Sequence, residues 1–473
     1  MGTPGRERGH LDTAWRWLPW LLPAAVALVA PLGTLDLAYH LRLGAQMLST
    51  RTIPSADTFT FSVEGRPWLD QQWGAQILLR MVDVAGGWSG LALLGAALIA
   101  AAIGSISLAC GARGASTRAA AVLALVGFVV AAPTLAVRPQ LFGVLAVAVA
   151  LWAVTTRATH PARRWLLPAI ALAVANLHGS FPIMVVIAAL AAIEDLLRGD
   201  RRGLIVAIVT AAATLVNPWG PRVWSYVWEI TSDPVIRTQV TEWAAPSLAE
   251  ASGWLALASV VLVTVVGYRE RARVRPMDLV WLAAFLVPAV ASQRAVVWWA
   301  LVAPVVVAGW VAEREVGDTA ETGRGDARFA RTVVATLAVL VILALPWWRG
   351  GPQLRDAPDG VADAIGALPS DTAVMAYQPW SSWIEHRAPA QPVYVDARIE
   401  LFPADVWARY DDLLTDPIGV LEATGAQAVA GPASWAPVVA ARDAAGWEIA
   451  YDGDDGVVVV RETLLGDGDA DET

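Results

Sequence analysis

The chain has 473 residues and no lysine; all 34 of its basic side chains are arginine. Its single cysteine, Cys110, lies in an apolar run. One thiol excludes an intrachain disulfide and a cysteine-based metal centre, so thiol redox chemistry is not expected. Charge is sparse, at 16% of residues, and there are five histidines, none in a fixed ligand spacing such as His-Glu-x-x-His. No internal repeat of the kind that marks many transporters is visible.

What fills the chain instead is apolar surface. Hydrophobic residues make up 56% and mean hydropathy is +0.51, with runs near the ~20 residues needed to cross a bilayer. The expected fold class is therefore an α-helical polytopic membrane protein. Eleven spans are read at 15–33, 89–110, 118–135, 139–156, 163–178, 182–198, 203–219, 252–268, 277–292, 295–312 and 331–348. With the N-terminus inside, 19 arginines fall on cytoplasmic segments and 8 on outer segments before residue 349. The positive-inside rule then selects N-inside and C-outside; the absence of lysine hints at a GC-rich bacterial genome, so the expected location is a bacterial plasma membrane. The first span is preceded by basic residues but followed by no convincing small-x-small cleavage site, so it is read as an uncleaved anchor.

From about residue 349 the composition changes. The tail holds 22 acids against 7 arginines, a balance that excludes nucleic acid as a partner and implies a water-facing role. Runs at 372–377, 392–395, 428–431, 447–451 and 457–460 read as strands, and 361–368, 403–414, 417–424 and 433–445 as helices. Asp452-Gly453-Asp454-Asp455-Gly456 reads as a hairpin turn. The domain reading is thus 1–348 for the membrane domain, with a first outer loop over 34–88, then 349–466 for an extracytoplasmic small α/β domain, and 467–473 for a disordered acidic end. Residues 313–330 read as a flexible cytoplasmic linker.

Candidate functional residues gather at the outer ends of the spans. Asp36 sits where the first span ends, and ionisable groups at that depth are costly unless solvated or used. His40 follows by four residues, so one helical face would carry both. Arg138 and Arg294 each open a span at the outer boundary, where an arginine opposes the helix dipole; the competing reading is snorkelling to the interface. Pro139 disfavours helix at Arg138 and places it at a helix start. Arg222 and Arg237 rank lower. Trp68 and Trp73 suit seating an interfacial helix over 71–84, or stacking on a ring of a ligand. Asp396 and Arg398 read as a strand-end pair.

The motifs of the first outer loop carry a resemblance. Asp36-x-x-Tyr39-His40-x-x-x-Gly44, Ile53-Pro54-x-x-Asp57-Thr58-Phe59-Thr60-Phe61, Gly65-Arg66-Pro67-Trp68 and Asp70-Gln71-Gln72-Trp73 resemble a group of bacterial membrane proteins similar to C-type (GT-C, protein-mannosyltransferase-like) glycosyltransferases. Arg138-Pro139-Gln140-Leu141-Phe142, Asn176-Leu177-His178-Gly179-Ser180-Phe181, Asn217-Pro218-Trp219-Gly220, Glu242-Trp243 and Val395-Asp396-Ala397-Arg398 resemble the same group. The resemblance implies transfer of a sugar from a polyprenyl-phosphate carrier to an acceptor on the outer face, with Asp36 acting on the acceptor. It also raises His40, Asp70 and His178 as site residues. A carboxylate can take the proton of an acceptor hydroxyl, and the planar forks of Arg138 and Arg294 suit the phosphate of the leaving group, with His178, Gln72 and Trp73 as further substrate-binding candidates.

Two departures stand out. The resemblance leads one to expect paired acids in the first loop, whereas Leu35 and Leu37 flank Asp36. It also leads one to expect an acid before Trp73, where Gln72 stands, and an amide is no base at neutral pH. Activity would then rest on Asp36 with Asp70. No cofactor is firmly implied; a divalent metal on Asp36, His40, Asp70 or His178 is the minor alternative. The expected partners are a lipid-linked sugar donor and membrane lipids, with the acceptor open. A flippase or transporter of a lipid-linked or anionic substrate, and a catalytically silent envelope-assembly protein, are the other readings. A transporter calls for charged groups near mid-membrane, whereas the polar residues here collect at outer ends.

Overall fold

A computed structural model describes residues 4–30, 32–33, 35–312, 324–345, 354 and 356–465. The reading of 467–473 as disordered and most of the 313–330 linker lie outside the described residues. The chain is mostly helical and divides into two compact packing units.

The first unit comprises 1–31, 85–229 and 240–352. A helix lies over each of the eleven apolar runs, with most ends shifted by a few residues but with Pro4–Val29 and Trp73–Ala112 beginning 11 and 16 residues before the expected 15 and 89. Among the described residues, four helices, Trp73–Ala112, Thr117–Thr134, Ala251–Arg269 and Gln293–Val311, are long and apolar enough to cross a membrane, the second and fourth counted with adjoining 3-10 turns; four shorter ones are apolar too. The helix Val296–Val311 is buried almost throughout, and packs against Thr117–Ala131 and Pro276–Ala291. Two of its three indoles are satisfied inside: Trp299 Nε1 donates to Ser259 Oγ at 2.9 Å and Trp310 Nε1 to Asp278 Oδ2 at 3.0 Å. Ala251–Arg269 is the opposite case, with Leu257, Val261, Leu262 and Val265 exposed, as expected of a helix whose solvent is lipid. Trp73–Ala112 is broken at Gly87, whose φ of 56° and ψ of −151° only glycine adopts readily.

The second unit comprises 32–84, 230–239 and 353–473. Its sheet has the order β1 (Val374–Ala376), β2 (Ala428–Gly431), β4 (Gly456–Arg461), β3 (Trp447–Gly453), with β1 and β2 parallel and the rest antiparallel. The hairpin closes at Gly453 and Gly456, where the sequence places it. Expected strand 392–395 is reduced to single bridges: Val393 pairs in parallel with Val374 on one side and with Thr60 on the other. The Val393 segment thereby covers the free edge of β1 and the first loop covers Val393 in turn, which removes an exposed strand edge.

Besides the short turns Pro234–Gln239 and Glu462–Leu465, two longer helices here are not anticipated by the sequence reading. Asp36–Thr50 occupies the start of the loop, and Gln378–Arg387, which follows β1, packs against Asp36–Thr50. Gly44 explains one motif position: a Cβ there would lie 2.3 Å from the Gln76 carbonyl oxygen, so the helix approaches residues 73–86 at backbone distance. Tyr39, Leu43, Met47 and Phe59 form the core beneath, with Trp68, Trp73 and Ile77 against it.

Candidate functional site

In the second unit, Asp36 opens the helix Asp36–Thr50, where a carboxylate meets the positive end of the helix dipole. It is half-buried, and His40, one turn on, is 3% exposed. Tyr39 stacks on His40 with ring centroids 3.9 Å apart. Burial first, and then Glu400, Asp36 and Asp70, push the Tyr39 hydroxyl well above its ordinary pKa. Those carboxylates therefore share one neighbourhood, Glu400 of the tail among them.

Asp70 is 1% exposed. Its Oδ1 accepts from Gln76 Nε2 at 2.9 Å, while Oδ2 is buried with no hydrogen-bond partner among the described residues. Burial pushes its pKa up, and the Gln72 backbone N–H, the Arg398 charge and Gln76 pull it back, leaving it at about 7. Gln72 thus serves Asp70 through its backbone. Trp73, also half-buried, begins the helix expected from 71, and its indole N–H is buried without an acceptor among the described residues.

Behind this neighbourhood lies an ionic cluster that the sequence only half discloses. Arg398 Nε donates to Asp396 Oδ2 at 2.8 Å, the expected pair, and Arg398 Nη2 also reaches Asp57 Oδ1 at 2.6 Å. Asp57 in turn accepts from Thr60 Oγ1 at 2.7 Å and from the Thr60 N–H at 3.1 Å. All three charged residues are at most 2% exposed. Arg42 stacks on Phe59 at 3.8 Å, and Arg398 lies 5.0 Å from the Phe59 and Trp68 ring centroids. Glu385 is buried nearby; burial and then Asp396 raise its pKa well above the ordinary range.

In the first unit, Arg138 precedes the helix Gln140–Thr156, with Pro139 at its N-cap. Arg138 is ion-paired with Glu242, and Arg294 lies 5.6 Å from the Trp243 ring. The backbone holds this turn in place: Gln293 N donates to Ala244 O at 2.8 Å, and Ser292 Oγ to Glu242 O at 3.1 Å. Burial raises the Glu242 pKa, but Arg138 and then Arg294 outweigh it and hold the carboxyl below its usual range. Two expected phosphate-binding arginines are thus gathered on one carboxylate, which the sequence reading does not assign to the site. The trio keeps one net positive charge.

His178 is buried, and its Nδ1 accepts from the Ser180 N–H at 3.1 Å, leaving Nε2 to carry the proton of a neutral ring. Gly143 approaches it from the helix Gln140–Thr156. In the first turn of that helix Gln140 is buried, with neither amide atom partnered among the described residues. No group of three metal-ligand side chains gathers among the described residues. A further cavity, of about 440 Å³, is lined by none of the expected site residues.

A scan against family models and a search of curated protein sequences give no match. Solved structures do. The Archaeoglobus fulgidus oligosaccharyltransferase AglB, in complex with an inhibitory peptide and a dolichol-phosphate, is similar at TM-score 0.57 and 14% identity, over 88% of this chain and 69% of that one. The apo oligosaccharyltransferase of the same organism is similar at TM-score 0.52 and 13% identity, over 87% and 69%. The likeness is one of fold: over most of its length the chain shares the GT-C fold of these membrane proteins.

Proposed function

We propose that the chain is a membrane glycosyltransferase that moves a sugar from a polyprenyl-phosphate carrier to an acceptor on the outer face. The observation that carries this is the first-loop neighbourhood, where Asp36 at a helix start, buried His40 and the near-neutral Asp70 surround Tyr39. Its setting in a fold shared with oligosaccharyltransferases supports the same reading, since AglB was solved with a dolichol-phosphate.

In the proposed reaction an acceptor oxygen attacks the anomeric carbon, and the bond from that carbon to the phosphate oxygen breaks with its electron pair on the phosphate. Asp36 takes the acceptor proton as the new bond forms, and inversion follows from direct displacement. Asp70, with a pKa of about 7, suits a proton-sharing role beside it. On the resemblance, Arg138 and Arg294 are assigned to the departing phosphate, with Glu242 holding the Arg138 fork until the anion arrives. His40, His178, Gln72 and Trp73 are assigned to substrate positioning. Buried charges of the helical unit, such as Arg157 with Glu194 and Asp195, sit in terminal turns of helices rather than at their middles, which favours the enzyme over a transporter.

The test is reconstitution with a panel of polyprenyl-phosphate sugars, comparing the native chain with Asp36→Asn. Loss of a general base predicts a fall in turnover of about 10²- to 10⁴-fold with donor binding retained. Undiminished turnover in Asp36→Asn, or movement of the intact lipid-linked sugar by both proteins, would sink the proposal.

A further inference from the structure

The 440 Å³ cavity lies in the helical unit, at the end to which the sequence assigns the cytoplasmic connections. Five arginines line it: Arg113, Arg157, Arg198, Arg273 and Arg275. They come from segments up to 162 positions apart in the chain, brought together by the ends of Trp73–Ala112, Gln140–Thr156 and Phe181–Leu197 and by the connection before Pro276–Ala291. Two acids, Glu194 and Asp278, line it with them.

Those acids are already committed. Asp278 accepts from Arg113 at 2.9 Å, from Arg275 at 2.7 Å and from the Trp310 indole at 3.0 Å. Glu194 accepts from Arg157 at 2.7 Å and from the Trp281 indole at 2.9 Å. Arginines placed only to cap helix C-termini would need no such enclosure. Arg157 also bonds Asp195 at 2.9 Å and Arg273 bonds Glu270 at 3.0 Å, so the five arginines meet four acids, one positive charge is left over, and two donors remain among the described residues. Arg113 Nε is buried with no partner among the described residues. Arg198 is half-exposed at the mouth and approaches Glu194 and Asp195 only at 3.8 and 3.9 Å, beyond hydrogen-bonding distance. The opposite wall is apolar, with Leu151, Val302 and Val305.

We propose that this cavity is a second, separate anion site that binds a phosphoryl group, Arg198 and Arg113 supplying the donors and the apolar wall accommodating carbon attached to it. An anionic lipid headgroup and a free phosphate share that chemistry. The site stands apart from the proposed transfer reaction, and its test does not depend on it.

The full chain is placed in phosphatidylcholine nanodiscs and titrated with inorganic phosphate by calorimetry. In parallel, retention of phosphatidylglycerol is counted by native mass spectrometry after purification from mixed vesicles. Saturable binding in either arm is expected, the first identifying free phosphate and the second the lipid headgroup. Arg198→Glu should weaken it by about tenfold or more and Arg198→Ala by less. Among the described residues the Arg198 side chain makes only the two long contacts, so Arg198→Ala should keep the native unfolding temperature, whereas Arg198→Glu, set beside Glu194 and Asp195, should lower it slightly. Equal retention of phosphatidylglycerol and phosphatidylcholine without phosphate binding would overturn the proposal, as would binding unchanged in Arg198→Glu.

Discussion

Asp70 is held between burial and three weaker stabilising contacts, and its protonation therefore bears on stability. A carboxyl at about 7 in the folded chain, against an ordinary 3.8, binds its proton more tightly folded than unfolded. Its contribution to stability is complete below about pH 4 and is lost as pH rises through 7, on the order of 4 kcal/mol in all. Asp70→Asn removes that dependence. The variant should gain in unfolding temperature relative to the native chain between pH 5 and pH 8; parallel curves would refute a buried, proton-binding Asp70. The site's arginines show how far residue-level reading reaches. Arg138 at a helix start is legible because Pro139 restricts its neighbour. That Glu242 meets it from 104 positions away is not legible, because no local pattern encodes which distant charge a loop will deliver.

At the scale of elements, the first loop and the tail are lashed together by Arg398, which bonds Asp57 and Asp396, and by Thr60 beside Val393. Removing one member of a buried ionic group strands the others. Arg398→Met should destabilise the second unit by about 3 to 5 kcal/mol, read as a lower unfolding temperature, and should raise the Asp70 pKa, since Arg398 is among the influences lowering it. A loss within measurement error would show that the lash is incidental. The helices Ala428–Gly431 flanks were foreseen in part: Pro417–Thr424 lies where its Pro start and Gly425 end place it. Gln378–Arg387 was not foreseen, because its buried face carries Ser381, Ser382 and Glu385 beside Trp383 and Ile384. An apolar-period rule cannot find a helix whose inner face is half polar.

For the whole molecule, topology is the expectation most open to direct measurement. Cys110 is the only cysteine and is buried, so a Cys110→Ala background leaves single introduced cysteines as clean reporters. Glu64→Cys in the first loop and Asp454→Cys in the β3–β4 turn occupy exposed positions, as does Arg271→Cys. An impermeant maleimide applied to intact cells should label the first two and spare the third until the membrane is opened. Labelling of Arg271→Cys in intact cells would reverse the orientation.

Composition and periodicity were enough to determine a helical membrane protein with a small mixed domain, because burial in lipid demands long apolar runs and satisfied backbone whatever the tertiary arrangement. Hairpin chemistry and capping residues placed several elements of the tail for the same local reason. Which charges meet was decided only by the fold. Asp57 with Arg398, Arg138 with Glu242, and five arginines around one cavity are pairings over long stretches of chain, set by packing geometry rather than by neighbours in sequence.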